Sequence, residues 1–236
     1  SDCRPVPGWL EAGLAPFAEA DVGLVTGPVG FKPEQEITFF SKLFAETRGE
    51  HPTYPTSNAF YRRELFLEKV EFDTSLAVRD FLDRATECAA TDLAWRVRKA
   101  GWRNVFAPDA LIHHEVEQQA PFAWTMEPTR LILLPMLLRL HPEIGPQLLW
   151  APHVFHPSTL PIYAAALVLL LGLFVEGALL WLLPLGLAAA ALRRARSLNP
   201  LRLARAAKEV AFNATRAAVM AATLIVGSIR YGRVVL

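Results

Sequence analysis

The sequence predicts an α/β layered domain followed by a helical membrane anchor, and three observations lead there. Over roughly the first 118 residues, stretches with helical spacing of apolar side chains alternate with short β-prone runs, as in layered α/β domains. Residues 160–192 then contain a single charged side chain, Glu176. Charge is also divided along the chain. Residues 1–159 carry 15 Lys and Arg against 21 Asp and Glu, whereas residues 193–236 carry nine basic side chains against Glu209 alone. An acidic globular part, an apolar block and a basic tail describe a membrane-attached protein.

The totals agree with that division. A chain of 236 residues, 53% of them hydrophobic, has room for one medium domain plus an appendage. Two cysteines, Cys3 and Cys88, supply no disulfide framework, which suits a reducing compartment. The first residue is Ser and no charged-then-apolar leader follows it, so the chain is expected to begin inside a longer protein or at a processed or engineered boundary.

Taken in order, residues 8–20 place Leu10, Leu14 and Phe17 at helical spacing, an amphipathic seed. Residues 22–29 (VGLVTGPV) read as a buried strand and turn. Ile37, Phe40 and Phe44 repeat the helical period over 35–47, and residues 51–56 with two prolines read as loop. After the segment 57–68 (SNAFYRRELFLE), residues 76–85 are expected to be helical. Thr91 is placed as an N-cap, with Asp92 in the first turn and Leu93, Val97 and Ala100 on one face. Arg96, Arg98 and Lys99 complement the C-terminal end of that helix, and Gly101 supplies its left-handed stop. Residues 104–107 and 110–114 read as strands separated by Pro108-Asp109. Trp95 and Trp102 are expected in the core.

The apolar run 131–140 is short and contains Pro135, so an interfacial placement is expected within a linker over 119–159. As one helix, residues 160–192 would extend roughly 50 Å, against a hydrocarbon core of roughly 30 Å. Glu176-Gly177 divides the run, favouring a transmembrane hairpin over one tilted span; two buried helices of a soluble protein are the alternative. A hairpin keeps the basic tail 193–236 on the side of the globular domain. Within the tail, 217–229 reads as a third short span or an interfacial helix.

Four segments, SDCRPVPGWL, VGLVTGPV, TSNAFYRRELFLE and TDLAWRVRKAGWRNVFAPDALIHHE, in this order and spacing, resemble family-two glycosyltransferases of the GT-A fold. The resemblance covers roughly residues 1–118 and implies the second half of a GT-A catalytic domain, with the donor-binding half upstream. It implies transfer of a sugar, with inversion, from a nucleotide-diphosphate donor to a lipid-linked or polysaccharide acceptor. The catalytic domain would sit on the cytoplasmic face of the cell membrane in a multi-pass protein.

The resemblance also assigns roles. Asp2 stands where the family's last D-x-D aspartate binds Mg2+ or Mn2+ on the sugar diphosphate, a role suited to a hard cation. One of His113 and His114 would meet the metal or diphosphate; in a period-two strand the pair faces opposite sides. Ser57, Asn58 and Arg62 resemble the acceptor-side segment, and Arg63 reads as a solvated helix face. Two departures stand out. Val70 and Glu71 replace a usual glycine pair, and Ala89-Ala90 replaces the Glu-Asp that supplies the general base. Glu87 and Asp92 are the nearest carboxylates in sequence. A degenerate enzyme, a displaced base and an engineered inactivation all remain open.

The chain contains no zinc-ligand spacing, Walker loop, nucleophile elbow or Rossmann glycine fingerprint. The basic tail follows an apolar block, so membrane lipids rather than nucleic acid are its expected partners.

Overall fold

Strand- and helix-forming runs alternate through the first part of the chain, several of them shorter than their apolar patterns suggest. The computed structural model describes residues 2–43, 46–67 and 70–236. The chain divides into two units, Ser1–Trp124 with Met136–Leu148, and Thr125–Pro135 with Leu149–Leu236. The stretch expected as a linker, 119–159, is thus shared between them.

In the first unit, β1 (Cys3–Pro5) leads to α1 (Trp9–Leu14), then β2 (Val22–Thr26), β3 (Val29–Phe31) and β4 (Ser41–Lys42). β5 (Ala59–Tyr61), α2 (Arg63–Leu67), β6 (Ala77–Arg79) and β7 (Ala85–Glu87) precede α3 (Ala89–Lys99). β8 (Arg103–Phe106), β9 (Ile112–His114) and β10 (Glu117–Gln118) follow. The sheets are small and mixed. β2 lies between antiparallel β5 and parallel β8, and β9 between antiparallel β1 and parallel β3. Every residue of β2 is buried, as a near-continuous apolar run flanked on both sides should be. α3 turns Leu93, Ala94, Trp95 and Val97 inward. Gly101, at φ +93°, ends the helix and feeds β8, as its position in the sequence requires.

Four local expectations fail, each for an identifiable reason. Leu10 and Leu14 are about half exposed; Trp9, Ala12 and Phe17 face the core instead. The Phe60 ring occupies the space where Gly13 lacks a side chain, and the Trp9 indole donates to Asn58 Oδ1 at 2.9 Å, so these contacts set the helix rotation. Residues 35–47 are not helical over their described part, and Ile37 is 51% exposed. The Thr38 amide donates to Ser41 Oγ and β4 pairs with β10, a side-chain capture of the backbone that competes with helix. Phe44 lies outside the described residues.

Residues 76–85 form most of a β6–β7 hairpin rather than a helix. Asp80 Oδ1 accepts from the amides of Leu82 and Arg84, fixing the turn. α3, finally, begins at Ala89, so Thr91 is not its cap. Alanine's high helix propensity carries the helix upstream, and the Thr91 hydroxyl donates to the Thr53 carbonyl at 2.7 Å.

α4 (Pro121–Met126) is followed by a 3-10 stretch, Glu127–Leu133, then α5 (Leu134–Leu140) and α6 (Gly145–Leu148). The run expected at an interface is largely covered by protein: Ile132, Leu133, Leu134, Leu137 and Leu138 are buried. Pro135 starts α5 rather than interrupting a longer helix, because its missing N–H is harmless in a first turn.

In the second unit, α7 (Leu160–Phe174), α8 (Leu182–Ala195) and α9 (Pro200–Tyr231) dominate. Three helical segments, Pro157–Phe174, Gly177–Ala195 and Pro200–Tyr231, are long and apolar enough to cross a membrane. The first break falls at Glu176, whose backbone is extended and whose Oε1 accepts from the Ala178 amide at 3.3 Å. Gly172 packs under Leu180 beyond that break. The tail differs from the short helix expected over 217–229. It is one 32-residue helix, capped by Asn199 and ended by Gly232 at φ +66°, and roughly 48 Å long. Small residues allow it to pack closely: a side chain at Gly227 would begin 2.7 Å from the Ile132 carbonyl.

Candidate functional site

β1 and β9 pair so that Cys3 stands opposite His114 and Arg4 opposite His113. The alternation of a strand therefore sends the two consecutive histidines to opposite faces. His114 Nε2 lies 3.5 Å from Asp2 Oδ2, and ligand atoms of Asp2, Cys3 and His114 fall within 4.8 Å of one another. His114 Nδ1 lies 2.9 Å from the Glu115 carbonyl. A carbonyl only accepts, so Nδ1 carries a proton, and Nε2 is the ring atom that faces Asp2. The imidazole is 7% exposed and the Asp2 carboxylate 66%, so a buried, oriented ligand stands behind an open one. His113, on the other face, is half-buried and lies over Gly30.

The charge state of the group follows from its contacts. Its own backbone amide, with smaller help from Cys3 and His114, holds the Asp2 carboxyl below its ordinary value. Burial, reinforced by the Asp2 charge, pushes the Cys3 thiol upward. Cys3 therefore stays a neutral thiol at neutral pH, which leaves Asp2 and His114 as the groups able to hold a cation. A carboxylate with an imidazole fits Mn2+ better than Mg2+, which favours an all-oxygen octahedron.

Two residues beyond His114, the Val116 amide donates to Gln35 Oε1 at 2.7 Å. Gln35, Glu36, Thr38, Val116 and Gln118 line an open cavity of about 270 Å3, and Gln118 is held there by Thr38, Ser41 and the Glu36 carbonyl. Sequence reasoning missed Gln35, Glu36 and Thr38 because it read 35–47 as a helix.

Of the residues assigned to the acceptor side, Asn58 is 2% exposed and fully engaged. Its Nδ2 donates to the carbonyls of Pro28 and Ala110, and its Oδ1 accepts from Trp9. The Arg62 guanidinium donates to the carbonyls of Val22, Phe17 and Glu19. Both side chains tie loop to sheet. Ser57 is half-buried in the 3-10 turn Thr56–Asn58, and Arg63 is exposed at the start of α2.

The two nearest carboxylates to Ala90 differ sharply. Glu87 ends β7 and is exposed. Asp92 is buried, its Oδ2 accepting from Arg96 Nε at 2.7 Å and its Oδ1 lying 2.8 Å from His141 Nε2. His141 is 3% exposed, and the Trp95 ring lies 6.3 Å from it. Trp95 itself is buried, donating to the Pro52 carbonyl. Ala89 is buried and Ala90 half-buried in the first turn of α3. Burial, with smaller contributions from Asp92, Asp73 and Glu87, pushes the Cys88 thiol to about 12, which removes it as a nucleophile at neutral pH. His141 carried no sequence signal, since its partner lies far away in the chain.

No family model, curated protein or solved structure matches this chain.

Proposed function

We propose that the chain is the second half of a membrane-anchored GT-A domain. The parent enzyme transfers a sugar, with inversion, from a nucleotide-diphosphate donor to a lipid-linked or polysaccharide acceptor. The observation that supports this best is the meeting of Asp2 with His114. The sequence resemblance assigned these two residues separately to the metal and to the metal or diphosphate, and they are distant in sequence. Asp2 and His114 would hold Mn2+ or Mg2+, and such an ion would offset negative charge on a diphosphate leaving group. Glu115 fixes the tautomer of His114 through its carbonyl, while Asn58 and Arg62 hold the loop and strand beside the site. The basic turn after α8 favours the cytoplasmic face of the cell membrane for the side to which α8 returns.

The second reading, a non-catalytic membrane scaffold of the same fold, draws on Ala89, Ala90 and the enclosed Asp92. An acceptor hydroxyl has no carboxylate at Ala90 to take its proton, and Asp92 has both oxygens engaged. Transfer by the parent protein with Mn2+ separates the two. Activity abolished by Glu87→Gln supports a displaced base on Glu87. An inactive parent that gains activity with Ala90→Asp supports the scaffold reading, and an inactive parent with no such gain refutes catalysis by this domain.

A further inference from the structure

The turn between α8 and α9 gathers positive charge that the protein does not neutralise. From 193 to 209 the chain carries Arg193, Arg194, Arg196, Arg202, Arg205 and Lys208 against Glu209. That one acid is already shared by Arg194 at 2.9 Å and Arg205 at 3.2 Å. Arg193, Arg194 and Arg196 are exposed and line an open cavity of about 770 Å3 together with Ala190 and Val210. Arg196 sits at φ +50°, the left-handed cap of α8. Leu198 and Leu201, 83% and 82% exposed, lie among these cations.

Helix-end electrostatics explain part of this. Arg193 and Arg194 lie in the last turn of α8 and complement its dipole. The dipole does not account for Arg202 and Lys208, nor for the open cavity that Arg193, Arg194 and Arg196 line with Ala190 and Val210. Guanidinium forks match phosphate oxygens in pairs, and exposed leucines among basic residues suit the boundary between headgroups and acyl chains.

We propose that this cavity binds the headgroup of an anionic phospholipid, with its phosphate on Arg193 and Arg196 and its acyl chains along the apolar surface of α8. The site is independent of sugar transfer and would serve a scaffold equally well.

Native mass spectrometry of the full chain in non-ionic detergent, with phosphatidylglycerol or phosphatidylcholine added, tests it. The wild type should retain phosphatidylglycerol with roughly tenfold or greater preference, as expected for two cations facing a headgroup of net negative charge, which the choline of phosphatidylcholine cancels. R193Q/R196Q should lose that preference, R193K/R196K should keep most of it, and R230Q, at the other end of α9, should keep all of it. Equal retention of both lipids by the wild type, or an unchanged preference in R193Q/R196Q, overturns the proposal. So does an equal loss in R230Q, which would mean diffuse charge. Displacement of the lipid by millimolar inorganic phosphate would make the ligand a soluble phosphate and also overturn it.

Discussion

Asp2 and Asp92 each face a histidine, at 3.5 Å from His114 and 2.8 Å from His141, yet their carboxylates are 66% and 7% exposed. Asp92 has one oxygen on its own helix and the other on His141, which follows α5. It is a cross-link between segments, and the Trp95 ring beside it helps keep water away. Asp2 has a buried, oriented imidazole behind it and solvent in front. A carboxylate whose oxygens are both engaged in a closed site contributes to structure; one that keeps an open side can take a ligand. Sequence position alone points the other way, since Asp92 is the carboxylate nearest to Ala90 in the chain.

Breaking the closed pair should have the largest effect. Asp92→Ala leaves His141 buried without its partner and Arg96 without its carboxylate, a loss of about 3–5 kcal/mol typical of a buried pair robbed of one member. Thermal denaturation in detergent measures it, and a change below about 1 kcal/mol would show that the pair is not a cross-link. Asn58→Ala comes next. It orphans the buried carbonyls of Pro28 and Ala110 and the Trp9 indole, for about 2–4 kcal/mol, and should loosen α1 against β5. A loss confined to ligand binding, with stability unchanged, would return Asn58 to the acceptor side. Asp2→Asn should be the mildest and leave the thermal midpoint at the wild-type value, because the carboxylate is mostly solvated. A marked drop would make Asp2 another structural acid.

The parts legible in sequence were those decided locally. The α3–Gly101–β8 unit follows from apolar spacing and one left-handed glycine, and the break at Glu176 from one charge in an apolar run. Residues 35–47 and 76–85 were misread because Ser41 and Asp80 divert backbone amides that a helix would use. Apolar periodicity does not register that competition. The third long apolar helix was hidden by Arg202, Arg205 and Lys208 in its first half, which made the tail resemble a charged appendage. At the candidate site, strand alternation separated His113 from His114. The choice between them needed the pairing of β1 with β9, and the role of His141 needed a contact that no local pattern encodes.

The proposed function places a metal ion on the open pair and not on the closed one. Titration of Mn2+ into the purified chain, followed by electron paramagnetic resonance or calorimetry, tests it directly. Binding should be seen in the wild type and in Asp92→Asn, and should weaken by roughly tenfold or more in Asp2→Asn and in His114→Ala. Absence of Mn2+ binding in the wild type, or binding that survives Asp2→Asn and is lost in Asp92→Asn, would contradict it.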